Sequence, residues 1–127
     1  YLPQAKTYDR CAALGPCLWV PAAPISPQTS IAMEIIRGGQ LKYHGHVKIE
    51  MMKRTHAELA GFLFRECSFP NGCFLMTGTG LVPPPDFTLA PGDLINICIE
   101  GIGTLTNSVG TRPSLPKEVI SLPSSTN

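Results

Sequence analysis

Glycine and proline interrupt this chain so often that long helices are excluded: there are 12 Gly and 13 Pro among 127 residues. What remains between them is a set of short segments, best suited to strands and turns. Where those segments alternate, they alternate clearly. Ile31, Met33 and Ile35 point one way from a strand over Ser30–Ile36, and Leu41, Tyr43 and Val47 do the same over Gln40–Val47. Gly38-Gly39 lies between the two runs, so the pair reads as a hairpin. Leu94–Glu100 repeats the pattern with Ile95, Ile97 and Ile99 on one face, and Gly101-Ile102-Gly103 leads into a last strand over Thr104–Val109.

Two further apolar runs, Cys17–Val20 and Cys73–Met76, read as short buried strands, the first followed by an extended connection through Pro21, Pro24 and Pro27. One helix is expected, over Thr55–Glu66. Thr55 with Glu58 three residues later forms a capping-box pattern, and Leu59, Phe62 and Leu63 fall at helical spacing as one buried stripe. The sum is a β-rich α+β class, a mixed sheet packed on itself with one main helix at 55–66. Residues 111–127 carry prolines and serines and read as a tail.

Composition narrows the function. Charged residues make up 15%, and 10 Lys+Arg against 9 Asp+Glu leave a net charge of +1, which excludes a strongly basic nucleic-acid binder. No 18-residue apolar run and no signal-peptide pattern is present, so no membrane partner is expected. The five cysteines contain no C-x-x-C pair. Cys17, Cys73 and Cys98 sit among apolar residues and read as buried free thiols, which fits a reducing compartment: the cytoplasm, with a mitochondrial location left open. His44 and His46 share a strand face, but two imidazoles hold a metal only with outside help, so a solvated strand face is the simpler reading. The nine acids form no E-x-E or D-x-D pair, and no G-x-S-x-G, P-loop or G-x-G-x-x-G occurs.

Two clusters could carry chemistry. Lys6-Thr7-Tyr8-Asp9-Arg10, followed by Leu14-Gly15-Pro16, puts proton-exchanging and anion-holding groups on one loop. Thr77-Gly78-Thr79-Gly80 follows an apolar run; its glycines would let a ligand approach the backbone and its hydroxyls could bind a carboxylate or carbonyl oxygen. A solvated loop and a tight strand-end turn are the plain alternatives.

These two clusters, with Phe87-Thr88-Leu89-Ala90-Pro91-Gly92-Asp93 and Ile99-Glu100-Gly101-Ile102-Gly103-Thr104-Leu105-Thr106-Asn107, resemble the fumarylacetoacetate hydrolase family over residues 5–110. The resemblance is to the C-terminal portion of its catalytic domain, with 1–110 as that portion, and the Ser-Phe-Pro-Asn-Gly before the T-G-T motif points to the 2-keto-3-deoxy sugar acid dehydratase branch. It implies a homodimeric hydrolase or lyase dependent on Mg2+ or Mn2+, with Ca2+ possible. Such an enzyme acts on a small 2-oxo acid or β-dicarbonyl substrate through a metal-stabilised enolate, by carbon–carbon hydrolysis, decarboxylation or dehydration. Lys6 is implied as the catalytic group that stabilises developing negative charge, with Thr79 and Gly78 binding substrate and Asp9 bracing the loop. Arg10 stands where the family often has Thr, cannot ligate a metal, and is a candidate for an acidic substrate group. The family's metal carboxylates would lie upstream of residue 1, where a chain opening at Tyr1 has no counterpart. The 127 residues alone are therefore expected to be inactive, either as part of a longer enzyme or as a non-catalytic fragment or pseudoenzyme that assembles with another chain.

Overall fold

The computed structural model describes residues 7–111. Four strands, β1 (Ser30–Arg37), β2 (Gln40–Lys48), β3 (Leu94–Ile99) and β4 (Gly103–Ser108), form one sheet in the order β2-β1-β3-β4. A single 3-10 turn (Ile49–Met51) and helix α1 (His56–Leu63) lie in the long excursion from β2 to β3. The β-rich class with one helix therefore holds. The pairings are all antiparallel, where a mixed sheet is expected.

The two hairpins follow from their glycines. Gly38 and Gly39 both have positive φ (56° and 76°), as a two-residue turn compatible with strand twist requires. Arg37 accordingly faces Gln40, and the register slips once, between Ile35 and Ile36. The β3–β4 turn uses Gly101 at φ 82°.

Residues directly opposite one another share a sheet face. Ile31, Met33 and Ile35 therefore stand beside Val47, Gly45 and Tyr43 on one side and Ile99, Ile97 and Ile95 on the other, with Leu105 completing an apolar face. Ile35 at its centre is 2% exposed, and Leu81, from the excursion, is 8% exposed. The opposite face is polar: Glu34 lies between His44 and Asn96, and Thr106 donates to Asn96 Oδ1 at 2.8 Å.

One ion pair ties the excursion back to the sheet. Arg37 donates from Nε to Asp93 Oδ1 (2.7 Å) and from Nη2 to Asp93 Oδ2 (2.8 Å), and Nη2 also donates to the Thr88 carbonyl (2.8 Å). Asp93 is fully buried and accepts a further bond from the Ala90 N–H. The Arg37 guanidinium first, and the Ala90 N–H second, hold the Asp93 carboxyl down at about 2.

Several expectations are corrected. Cys17–Val20 is not a strand, with Leu18 and Val20 exposed. Cys73–Met76 is not a strand, and Phe74, Leu75 and Met76 are exposed. An apolar run becomes a strand only beside an open partner edge, and neither β2 nor β4 pairs with these two segments. All five cysteines are exposed: Cys17 and Cys73 lie in those unpaired segments and Cys98 on the polar face of β3. The helix is shorter than expected. Thr55 caps it, accepting from the Glu58 N–H at 3.1 Å, but it ends at Leu63 as Phe64 turns away (φ −86°, ψ 1°). Its stripe is not a buried one: Leu59 and Leu63 are half-buried and Phe62 is exposed beneath the Arg65 guanidinium. The tail beyond Thr111 lies outside the described residues.

Candidate functional site

Lys6 lies outside the described residues, and the loop it leads into is described from Thr7 onward. That loop turns at Tyr8–Cys11, closed by the Cys11 N–H on the Tyr8 carbonyl (3.0 Å). Arg10, third in the turn, takes a left-handed conformation (φ 62°), a place suited to glycine. The only other positive-φ residues described are glycines. Arg10, Cys11, Ala12 and Ala13 form one wall of an open cleft of about 520 Å³, and Thr106, Asn107 and Ser108 of β4 form the other. The chain then runs on over the apolar face, where a Cβ on Gly15 would meet Leu105 Cδ1 at 3.3 Å.

The T-G-T-G loop reaches that same face from the opposite edge. Thr79 Oγ1 accepts the Leu81 N–H at 2.9 Å, closing a tight turn, and donates its O–H to the Leu81 carbonyl at 3.4 Å. Gly78 has φ 87° and is exposed, so the backbone next to Thr79 is open to a ligand. Leu81 packs over Gly45 of β2, and Gly80 lies against Val47. Thr79 thus approaches the apolar face from the β2 edge, while Arg10 lies at the β4 edge, three strand spacings, about 14 Å, away. Neither cleft described here holds both residues. The second cleft, of about 490 Å³, is lined by Val82–Pro85 and Phe87–Leu89, the loop held by the Arg37–Asp93 pair.

His44 and His46 lie on the polar face with ring centroids 6.4 Å apart. Among the described residues, no three His, Cys, Asp or Glu side chains converge to hold a metal ion, so these residues do not fit a divalent-ion site by themselves. Sequence reasoning missed Tyr43, Gly45 and Leu81. The signal available was a glycine in mid-strand, which marks a close approach by another part of the chain.

The sequence profile described as "Fumarylacetoacetate (FAA) hydrolase C-terminal" matches residues 2–110. The chain belongs to the fumarylacetoacetate hydrolase family. Within it, the chain is 43% identical over 112 residues to the "Probable 2-keto-3-deoxyxylonate dehydratase" of Haloferax volcanii, covering 87% of this chain and 39% of that one. It is 36% identical over 113 residues to the 2-dehydro-3-deoxy-D-arabinonate dehydratase of Saccharolobus solfataricus, covering 88% and 38%. Among solved structures, a 2-keto-3-deoxy-D-arabinonate dehydratase complexed with magnesium and 2,5-dioxopentanoate superposes with a TM-score of 0.83 at 35% identity, over 90% of this chain and 41% of that one. The chain spans about two fifths of the length of the curated relatives it matches. Fold and family branch therefore agree with the resemblance seen in the motifs. Among the described residues, no helix is long and apolar enough to cross a membrane.

Proposed function

We propose that residues 1–110 are the C-terminal portion of the catalytic domain of a lyase that removes water from a 2-keto-3-deoxy sugar acid, with 111–127 as a tail. The observation that carries this reading is the likeness to the dehydratase holding magnesium and 2,5-dioxopentanoate, which extends over nine tenths of this chain. Dehydration is favoured over carbon–carbon hydrolysis and decarboxylation because the relatives described above are dehydratases.

The reaction takes a proton from C3, acidified by the neighbouring 2-oxo group, and a hydroxide from C4, releasing water; the resulting 3,4-unsaturated 2-oxo acid loses a proton from C5 and tautomerises, through enols protonated at C3 and C4, to the 2,5-dioxo acid. Negative charge develops on the 2-oxo oxygen as the proton leaves, and a fixed cation there lowers the barrier. Lys6 is assigned that role. The Thr79 hydroxyl accepts the Leu81 N–H at 2.9 Å and donates to the Leu81 carbonyl only over a long 3.4 Å, a weak bond that the O–H would exchange for one to the substrate carboxylate. Open backbone at Gly78 admits that carboxylate. Arg10, four residues beyond Lys6 and against β4, would anchor the far end of an extended sugar acid. The magnesium of the relative supports Mg2+, with Mn2+ as a substitute, in the intact enzyme. Among residues 7–111 no three His, Cys, Asp or Glu side chains converge to hold it.

Exposed Leu18, Val20, Phe74 and Met76 support an assembly that covers these surfaces, a homodimer in this proposal. The five unpaired cysteines suit a reducing compartment, the cytoplasm.

The test is turnover of 2-keto-3-deoxy-D-arabinonate by the intact protein with Mg2+, followed by appearance of the dioxo acid. Lys6→Ala is expected to lower kcat at least about 100-fold. Hydrolysis of an acylpyruvate with no turnover of any 2-keto-3-deoxy sugar acid would overturn the reading, and unchanged turnover in Lys6→Ala would remove Lys6 from its role.

A further inference from the structure

Gly45 and Gly80 have no backbone reason to be glycine. Neither has a positive φ, and Gly45 sits in the middle of β2, where glycine is a poor strand former. What sets them apart is space. A Cβ on Gly45 would lie 2.6 Å from Tyr43 Oη, 3.1 Å from Tyr43 Cζ and 3.2 Å from Leu81 Cδ2. A Cβ on Gly80 would lie 3.3 Å from Val47 Cγ2. Two glycines, one on each side of a single contact, let the T-G-T-G loop sit directly on β2. Leu81 is the buried anchor of that contact, and its N–H is the group that holds the Thr79 hydroxyl.

We infer that Gly45 and Gly80 are positioning residues for Thr79: by admitting Leu81 and the loop backbone against β2, they fix where the Thr79 hydroxyl, held by the N–H and the carbonyl of Leu81, is placed. The inference rests on the reading of Thr79 as a substrate-binding group. A side chain at position 45 lifts Leu81, loosens its N–H bond to Thr79, and moves the hydroxyl without touching substrate. Displacements of this size at a binding group weaken binding more than they disturb the fold.

The experiment compares Gly45→Ala, Gly45→Ala/Tyr43→Phe and Thr79→Val in the intact protein. The readouts are hydrogen exchange at the Leu81 amide, Tm, and KM and kcat for 2-keto-3-deoxy-D-arabinonate. Gly45→Ala is expected to speed Leu81 exchange about tenfold and raise KM about tenfold, with Tm nearly unchanged. Removing the Tyr43 hydroxyl, the nearest obstacle, is expected to restore most of both. Unchanged Leu81 exchange in Gly45→Ala overturns the inference. So does faster exchange with unchanged KM in Gly45→Ala while Thr79→Val raises KM. If exchange responds but Thr79→Val leaves KM alone, the substrate role of Thr79 fails while the docking of its hydroxyl through Gly45 stands. Should Gly45→Ala not fold, Gly80→Ala, relieved by Val47→Ala, carries the same readouts.

Discussion

Truncating Ile35 to alanine tests whether the apolar face of the sheet is the structural base of the molecule. Ile35 is 2% exposed, lies on a strand paired on both sides, and faces Tyr43 and Ile95 across the two ladders. Removal of a buried Ile side chain to Ala costs about 2–5 kcal/mol, more where the surroundings cannot collapse into the gap. Strands hydrogen-bonded on either side cannot close in without breaking ladder bonds, so about 3–4 kcal/mol is expected here. With a urea m-value of about 2 kcal/mol/M, the midpoint falls by about 1.5–2 M while m is unchanged. Urea unfolding followed by far-ultraviolet circular dichroism measures this directly. Phe62→Ala is the control: an exposed side chain on α1, it is expected to change stability by less than about 0.5 kcal/mol. A loss of under about 1 kcal/mol for Ile35→Ala, or equal losses for both variants, would show that the packing centre lies elsewhere.

Other perturbations probe other parts of the structure. The Asp93 carboxyl, held at about 2 against an ordinary 3.8, stabilises the folded state above the ordinary value, and that contribution is lost as pH falls through about 2. Asp93→Asn is expected to be less stable at neutral pH and to show a flatter fall in stability over that acid range, read by denaturant titration at a series of pH values. Thr55→Ala removes the side-chain acceptor of the Glu58 N–H and should weaken α1 by about 1 kcal/mol, seen as faster amide exchange confined to that helix. Arg10→Gly relieves a left-handed backbone position and should raise stability by about 1 kcal/mol; if Arg10 anchors the substrate, KM rises at the same time, and an unchanged KM would dismiss that role.

The strands that the sequence made legible are those whose pattern is local. Alternation over Ser30–Ile36 and Gln40–Val47 around Gly38-Gly39 identifies the first hairpin, and alternation over Leu94–Glu100 identifies β3 and, past Gly101, a last strand whose pairing with β3 the structure shows. Thr55 marks the start of the helix for the same reason, since a cap bonds only three residues along. Cys17–Val20 and Cys73–Met76 misled because an apolar run states only a wish to be buried. Whether it becomes a strand depends on a partner edge that no short window contains.

The candidate site divides in the same way. Lys6, Arg10, Gly78 and Thr79 can be nominated from motifs because their residue types and spacing are visible in short stretches. That Thr79 engages its own chain through Leu81, that Leu81 rests on Gly45, and that Arg10 faces β4 could not be read from those stretches. Nor could the pairing of Arg37 with Asp93, 56 residues away. The sequence alone determined the alternating faces, the turns and the family motifs, because these are set by bonds and sterics between near neighbours. Only the tertiary structure decided which face each loop covers and where each hydroxyl and charge is held, because those depend on contacts between segments that the fold alone brings together.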